Sequence, residues 1–293
     1  MELRHIRYFL AVAEELNFTR AAEKLCIAQP PLSRQIQNLE DELGAQLFIR
    51  KPHFLQLTAE GIMFKQYALQ ILDLVEKSTE DIADMKKGLQ GTIYFASVEG
   101  HAPSILSKWI ADFHEDFPDV QYNLWNGNTD DVIVRISKGL CDLAIITEPY
   151  NAENVEAFRV FQEPWAALIP ADHPLAKAPG ETVSFKELAP YDLIIPSRQS
   201  RLQEIRDWFA QSGVTPKIRC RIAHTISAYE LTEQGLGIAI YPATVKEEAL
   251  GSKICVKRLI EPEVMATYVL IWSKEHQLSR AAEEFLDYVK SIT

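Results

Sequence analysis

Gln29, Ser33, Arg34 and Gln37 recur at helical spacing on the side away from Leu32, Ile36 and Leu39. Arg, Gln and Ser hydrogen-bond base edges and phosphates, so this face could read a DNA major groove. Arg50 and Lys51 lie downstream and suit a neighbouring phosphate or minor groove. A polar solvent face on a three-helix bundle is the plainer alternative. Catalytic chemistry is sparse by comparison. His5, His53, His101, His114, His173, His224 and His276 show no His-x-x-x-His or Cys-His metal spacing, and the sequence has neither a Gly-rich phosphate loop nor a Gly-x-Ser-x-Gly elbow. Cys141 precedes a strand and reads as core. No catalytic residue, metal or cofactor is expected.

These residues need elements to hold them. Leu3, Ile6, Leu10 and Ala13 give a first helix over Leu3 to Leu16, Thr19 is placed to cap a short second helix through Leu25, and a third helix starts near Gln29. Pro30 and Pro31 fit its first turn, where a missing N–H costs little, and Gly44 supplies a stop. Gln46 to Leu57 reads as two short strands around the basic tip Arg50-Lys51-Pro52-His53. Three helices followed by such a wing form a winged helix-turn-helix over 1–58, whose third helix enters the major groove. Thr58 then caps a long helix to about Lys87, ended by Gly88, so 59–89 forms a linker. Met63, Tyr67, Ile71, Val75 and Ile82 give it a stripe that calls for a partner helix.

Beyond Gly91 strand-like runs alternate with helical segments. Candidate strands are Thr92–Val98, Val120–Trp125, Leu143–Thr147, Ala166–Pro170, Leu193–Pro196, Ile218–Ala223, Ile238–Tyr241 and Thr267–Trp272. The alternation points to parallel sheets with crossover helices, an α/β domain over 90–293.

Composition bounds the function class. The 293 residues are 47% hydrophobic and 24% charged with net charge -11, the profile of a soluble globular protein of about two domains. No apolar run reaches the roughly 18 residues of a membrane span, and Met1–Arg7 turns amphipathic at once, unlike a secretory leader. Four widely spaced cysteines, Cys26, Cys141, Cys220 and Cys255, fit reduced thiols in the cytoplasm. The acidic total alone argues against nucleic acid. Residues 1–58 nevertheless carry seven basic and seven acidic groups, so the excess negative charge belongs to the remainder.

The stretches Leu3-Arg4-His5-Ile6-Arg7-Tyr8-Phe9, Phe18-Thr19-Arg20-Ala21-Ala22-Glu23-Lys24-Leu25 and Gln29-Pro30-Pro31-Leu32-Ser33-Arg34-Gln35-Ile36, with Leu39-Glu40, Leu43-Gly44, Leu47-Phe48 and Arg50, resemble the N-terminal domain of the LysR-type transcriptional regulators. Thr58-Ala59-Glu60-Gly61 resembles that family's linker start. The departures are Ala28, where a capping Ser or Thr is common, and Lys51-Pro52-His53 at the wing. The resemblance implies a dimer or tetramer paired through the linker helix, two recognition helices on a pseudo-palindromic promoter site, bent DNA and a possible contact with RNA polymerase. It implies DNA contacts from Thr19, Arg20, Gln29, Pro30, Pro31, Ser33, Arg34, Gln37, Arg50 and Lys51.

It further implies a two-lobed, periplasmic-binding-protein-like effector domain, with lobe one at 91–163 and 266–293 and lobe two at 164–265. Crossovers near Gln162-Glu163-Pro164 and Glu261-Pro262-Glu263 would be hinges. Open α/β sheets bind ligands beyond the carboxyl ends of their strands, often on helix N-termini. That rule selects Glu99, Gly100, His101, Asn128, Thr129, Thr147, Ser197, Arg198 and Thr225. By position Gly100, Thr129, Thr147, Ser197 and Thr225 match the family's usual inducer contacts, although small or hydroxyl residues are common where Gly100 stands. Asn128 and Thr129 could equally cap a helix, and Glu99 reads more naturally as a solvated loop carboxylate. Arg198 is the one obvious full positive charge, and with the helix N-termini it favours a small anion, a carboxylate or amino acid. Rival readings are an enzyme, a transport solute-binding protein, and a regulator whose C-terminal domain only oligomerises.

Overall fold

The computed structural model describes residues 1–51, 54–84, 90–243 and 253–293, with side chains throughout except at 80–84. The chain divides into two units, Met1–Lys86 and Lys87–Thr293.

In the first unit α1 (Leu3–Glu15), α2 (Phe18–Lys24) and α3 (Gln29–Leu43) are followed by β1 (Phe48–Lys51), β2 (Phe54–Leu57) and α4 (Ala59–Asp84). The helical stripes converge on one core of Ile6, Phe9, Val12, Ala21, Leu32, Ile36, Leu39 and Phe48, completed by Phe64 and Ala68 from α4. The cap of α2 is Asn17 rather than Thr19. Its Oδ1 accepts from the N–H groups of Thr19 (2.9 Å) and Arg20 (3.1 Å), leaving the Thr19 side chain on the surface. Pro30 and Pro31 occupy the first turn of α3, and Gly44 closes it in the left-handed region at φ 66°.

Glu40 fastens the wing to α3. Its buried carboxylate accepts from the N–H groups of Leu47 (2.8 Å) and Phe48 (3.1 Å), and from Arg50 Nη2 (2.5 Å). Thr58 fastens α4: its hydroxyl donates to Gln46 O (2.7 Å) and accepts from Gly61 N–H (2.9 Å). Gly61 is required because a Cβ there would stand 2.1 Å from Leu47 O. At 1.5 Å per residue the 26 residues of α4 span about 39 Å. Its expected end at Lys87 and Gly88 lies outside the described residues, as do Pro52, His53 and the side chain of Ile82.

The second unit contains β3 (Gly91–Val98), α5 (Ala102–Asp116), β4 (Val120–Gly127), α6 (Thr129–Ser137), β5 (Leu143–Thr147), β6 (Val155–Pro170), α7 (Pro174–Lys177), β7 (Thr182–Ser184), α8 (Phe185–Leu188), β8 (Asp192–Pro196), α9 (Gln199–Gln211), β9 (Lys217–Ile222), α10 (Thr225–Glu233), β10 (Ile238–Pro242), β11 (Ile254–Ile260), β12 (Met265–Ser273) and α11 (Arg280–Ile292). The strand path β4-β3-β5-β12-β6-β10-β8-β9 is mixed rather than parallel. Parallel pairs β3–β4, β3–β5, β8–β9 and β10–β8 carry crossover helices, whereas β6 and β12 run antiparallel to their neighbours and β11 pairs antiparallel with β6 and parallel with β7.

Strand β6 joins two lobes. Residues Val155 to Pro164 pair with β12, and from Trp165 onward the strand pairs with β10 and β11. Lobe one packs its helices on β3 and β5, with Phe285 of α11 edge-on to Phe95 at 4.8 Å. Lobe two packs Phe185 edge-on to Phe209 at 5.0 Å. The expected strand at Ala166–Pro170 is only the last five of the 16 residues of β6. The earlier part escapes because Glu156, Arg159 and Gln162 interrupt its apolar run.

Candidate nucleic-acid interface and ligand cleft

On α3 the side chains of Gln29, Pro30, Pro31, Arg34 and Gln37 are exposed and Ser33 is half-buried, because Leu32, Ile36 and Leu39 turn the opposite face into the core. Arg34 has no ion-pair partner among the described residues, and neither has Lys51 at the end of β1. Thr19 and Arg20 are exposed on α2, but Arg20 Nη2 donates to Glu15 O (2.6 Å). Arg50 departs from the expected free wing cation: its guanidinium pairs with Glu40 and lies 5.2 Å from the centre of the Phe18 ring. The surface thus offers unmatched positive charge at Arg34 and Lys51, flanked by neutral amide and hydroxyl groups, an arrangement suited to a polyanion with readable edges.

The outer face of α4 leaves Ile62, Met63, Tyr67, Leu69 and Leu74 exposed while Phe64, Ala68, Ile71 and Leu72 turn inward. Of the expected stripe, Met63 and Tyr67 therefore face outward and Ile71 and Val75 are half-buried.

In the second unit a cleft of about 980 Å³ opens between the lobes, and all nine residues selected from the sequence line it: Glu99, Gly100, His101, Asn128, Thr129, Thr147, Ser197, Arg198 and Thr225. They gather there because each follows a strand's carboxyl end, on β3, β4, β5, β8 and β9. Gly100 sits at φ 91°, where a side chain would be strained, which explains a glycine at this position. Asn128 caps α6, its Oδ1 accepting from Asp131 N–H (3.0 Å), and Thr129 is buried beneath.

Two expectations are corrected here. Glu99 is not a solvated loop carboxylate. It reaches across the cleft, its Oε2 accepting from Thr225 N–H at the start of α10 (2.8 Å) and its Oε1 lying 2.6 Å from His224 Nδ1. That hydrogen bond and the carboxylate's charge raise the His224 pKa above its ordinary value. Arg198 is not a free cation either. Its Nε and Nη2 donate to Asp130 (3.2 and 3.0 Å to Oδ1) and its Nη1 to Pro149 O (3.0 Å).

Sequence reasoning missed the buried groups of the cleft. Arg201, 6% exposed, donates to Thr147 Oγ1 (3.2 Å), Glu148 O (2.8 Å) and Glu204 (2.6 Å), with its guanidinium 4.7 Å from the Trp165 ring centre. Burial pulls its pKa below the ordinary value. Buried Glu163 accepts from Tyr268 Oη (2.6 Å), and His101 Nδ1 lies 3.7 Å from the same carboxylate. Burial pushes the hydroxyls of Tyr229, Tyr241 and Tyr268 far up, so all three stay neutral. Arg201 stands one helical turn beyond Arg198, a spacing that could have found it. Trp165, Tyr241 and Tyr268 sit in strands whose apolar runs read as core.

Comparison with known proteins places this architecture. Residues 3–62 match the family model for the bacterial regulatory helix-turn-helix protein, lysR family, and residues 86–292 match the LysR substrate binding domain. The chain is 34% identical over 288 residues to the Escherichia coli K12 regulator YnfL, covering 97% of this chain and 96% of YnfL. It is 32% identical over 292 residues to the Hca operon transcriptional activator HcaR of the same strain, covering 99% and 97%. The structure of the LysR-family regulator CbnR superposes with TM-score 0.81 at 25% identity over 99% of each chain. Full-length CbnR complexed with its target DNA superposes with TM-score 0.78 at 25% identity over 100% of each. The chain belongs to the LysR family of transcriptional regulators, DNA-binding proteins with a helix-turn-helix followed by a two-lobed substrate-binding domain, and not to an enzyme class.

Proposed function

We propose that this regulator reads promoter DNA with α3 and the wing, assembles through the outer face of α4, and changes its action when a small molecule occupies the cleft between its lobes. The single observation that supports the sensing role best is the cleft itself, where strand ends from both lobes converge on one cavity. Gln29, Pro30, Pro31, Ser33, Arg34 and Gln37 contact the duplex from α3, Thr19 and Arg20 from α2, and Arg50 and Lys51 from the wing. The apolar stripe of Ile62, Met63, Tyr67, Leu69 and Leu74 pairs two copies, and a tetramer places two such pairs on one site. The protein works in the cytoplasm and communicates with RNA polymerase from the bound promoter.

A carboxylate or amino-acid effector, the class favoured by the sequence, would have to compete with Glu99 for the Thr225 amide and with Asp130 for Arg198. Whatever its class, an effector acts only through unequal affinity for two lobe arrangements. A thermal-shift screen of metabolites on the full chain, followed by footprinting on promoter DNA, tests the reading. A metabolite that raises the melting temperature and alters the footprint supports it. A screen in which none does either favours a C-terminal domain that serves assembly alone.

A further inference from the structure

We infer that the cleft selects an uncharged aromatic ligand carrying a hydrogen-bond acceptor, in preference to an anion. This rests on the proposed sensing role and narrows it. Four places in the cleft could hold an effector carboxylate; three already hold one from this chain, and the fourth is capped by an amide beside two carboxylates. Arg198 is taken by Asp130, Arg201 by Glu204, and the N-terminus of α10 by Glu99 on the Thr225 amide. The N-terminus of α6 carries Asp130 and Asp131 in its first turn, and Asn128 accepts its Asp131 N–H. A second anion at the first three displaces a charge-assisted hydrogen bond already made, and at the fourth it meets Asp130 and Asp131.

The surrounding charge adds to this. Among the lining residues, the carboxylates of Glu99, Asp130, Asp131 and Glu163 outnumber the guanidiniums of Arg198 and Arg201. Glu163 is 4% exposed and already accepts from Tyr268, so a further negative group meets it across a medium that screens poorly.

The hydrogen-bonding capacity left over is neutral. Trp165 Nε1 and Tyr241 Oη have no hydrogen-bond partner among the described residues; both residues line the cleft, at 2% and 6% exposure, with these atoms just beneath its wall, where a ligand oxygen reaches them once the neighbouring side chains give way. An indole N–H only donates, and a phenol can donate, so their complement is a carbonyl or hydroxyl oxygen. The walls around them are aromatic: Trp165, Tyr229, Tyr241 and Tyr268, with the Tyr229 and Tyr241 rings 6.4 Å apart and inclined at 63°. Such faces match the rim and face of a planar ring. The cavity, about 980 Å³, is of the size that holds a bicyclic ligand.

The test is calorimetric titration of the full chain with three probes of one shape: 2-naphthamide, 2-naphthoate and 2-naphthylmethylamine. The amide is expected to bind at least tenfold more tightly than the naphthoate, and the amine, the cationic control, to bind more tightly than the naphthoate. Tyr241→Phe should weaken amide binding about fivefold. Asp130→Asn, at an exposed position, should free Arg198 and raise the affinity for 2-naphthoate about tenfold. Naphthoate binding as tightly as the amide, or no binding of the amide, overturns the inference. If naphthoate wins and also alters the promoter footprint, only the ligand class falls and the sensing role stands. If no probe binds and a broad metabolite screen leaves the footprint unchanged, the sensing role falls with it.

Discussion

The two functional surfaces of this protein treat charge in opposite ways. On α3 and the wing, Arg34 and Lys51 stand exposed with no ionic partner among the described residues, whereas in the cleft Arg198, Arg201 and Glu99 are each matched by a group of the same chain. Unmatched cations on an exposed face await a polyanion and release counterions when they meet it. Matched charges across a cleft hold two lobes in register and leave recognition to shape and neutral donors. The acidic total of -11 therefore says nothing against DNA: residues 1–58 are neutral, and most of the excess falls in the unit whose charges serve internal contacts.

The sharpest way to break this comparison is to remove a matched charge. Arg201→Ala leaves Glu204 half-buried without its cation and strips the Trp165 face, and should cost the effector domain about 2 to 4 kcal/mol, read as a lower urea midpoint. No change would mean that the buried guanidinium is incidental. In the first unit Glu40→Ala should cost about 2 to 3 kcal/mol, because the Leu47 and Phe48 amides lose their acceptor and the wing loses its tie to α3. Operator binding should weaken along with that loss. If the wing's affinity contribution survives, Arg50 is held by something other than Glu40.

Surface charge should behave differently. Lys51→Ala should weaken binding to all DNA sequences alike and lower the salt slope of log K by about 1, with no loss of stability. A sequence-dependent loss would move Lys51 from phosphate contact to base readout.

The smallest effect concerns pH. Since Glu99 raises the His224 pKa, the protonated pair holds the lobes most firmly below the ordinary histidine value of about 6.5, and the contribution disappears as pH rises through the raised value. His224 is exposed to solvent, so the change is slight. The protection factor of the Thr225 amide, corrected for the intrinsic base-catalysed rate, should fall between pH 6 and 8, and His224→Gln should flatten that fall. An identical profile in both proteins would show that the amide contact alone closes this rim.

Much of this was legible in the sequence because it depends on period and punctuation. The Leu32, Ile36 and Leu39 stripe sets which face of α3 is exposed, and strand ends select cleft residues without any knowledge of pairing. Partners across the fold were not legible. Nothing in the local sequence of Arg50 announces Glu40, and nothing around Glu99 announces Thr225, 126 residues away. Arg198 looked free for the same reason: Asp130 belongs to the other lobe. The cap of α2 was placed at Thr19, whereas Asn17, two residues earlier, is the residue that leaves the helix and accepts its first N–H groups. Strand β6 was largely missed because one strand serves two lobes, so its burial pattern changes at Pro164.

The central claim, that the open face of α3 reads promoter sequence, is tested most directly by fluorescence anisotropy of the full chain on a selected operator and on random duplex DNA. The account predicts that Arg34→Ala lowers the ratio of specific to random affinity by about 10- to 100-fold, corresponding to about 1 to 3 kcal/mol, with little change on random DNA. An unchanged ratio would contradict it.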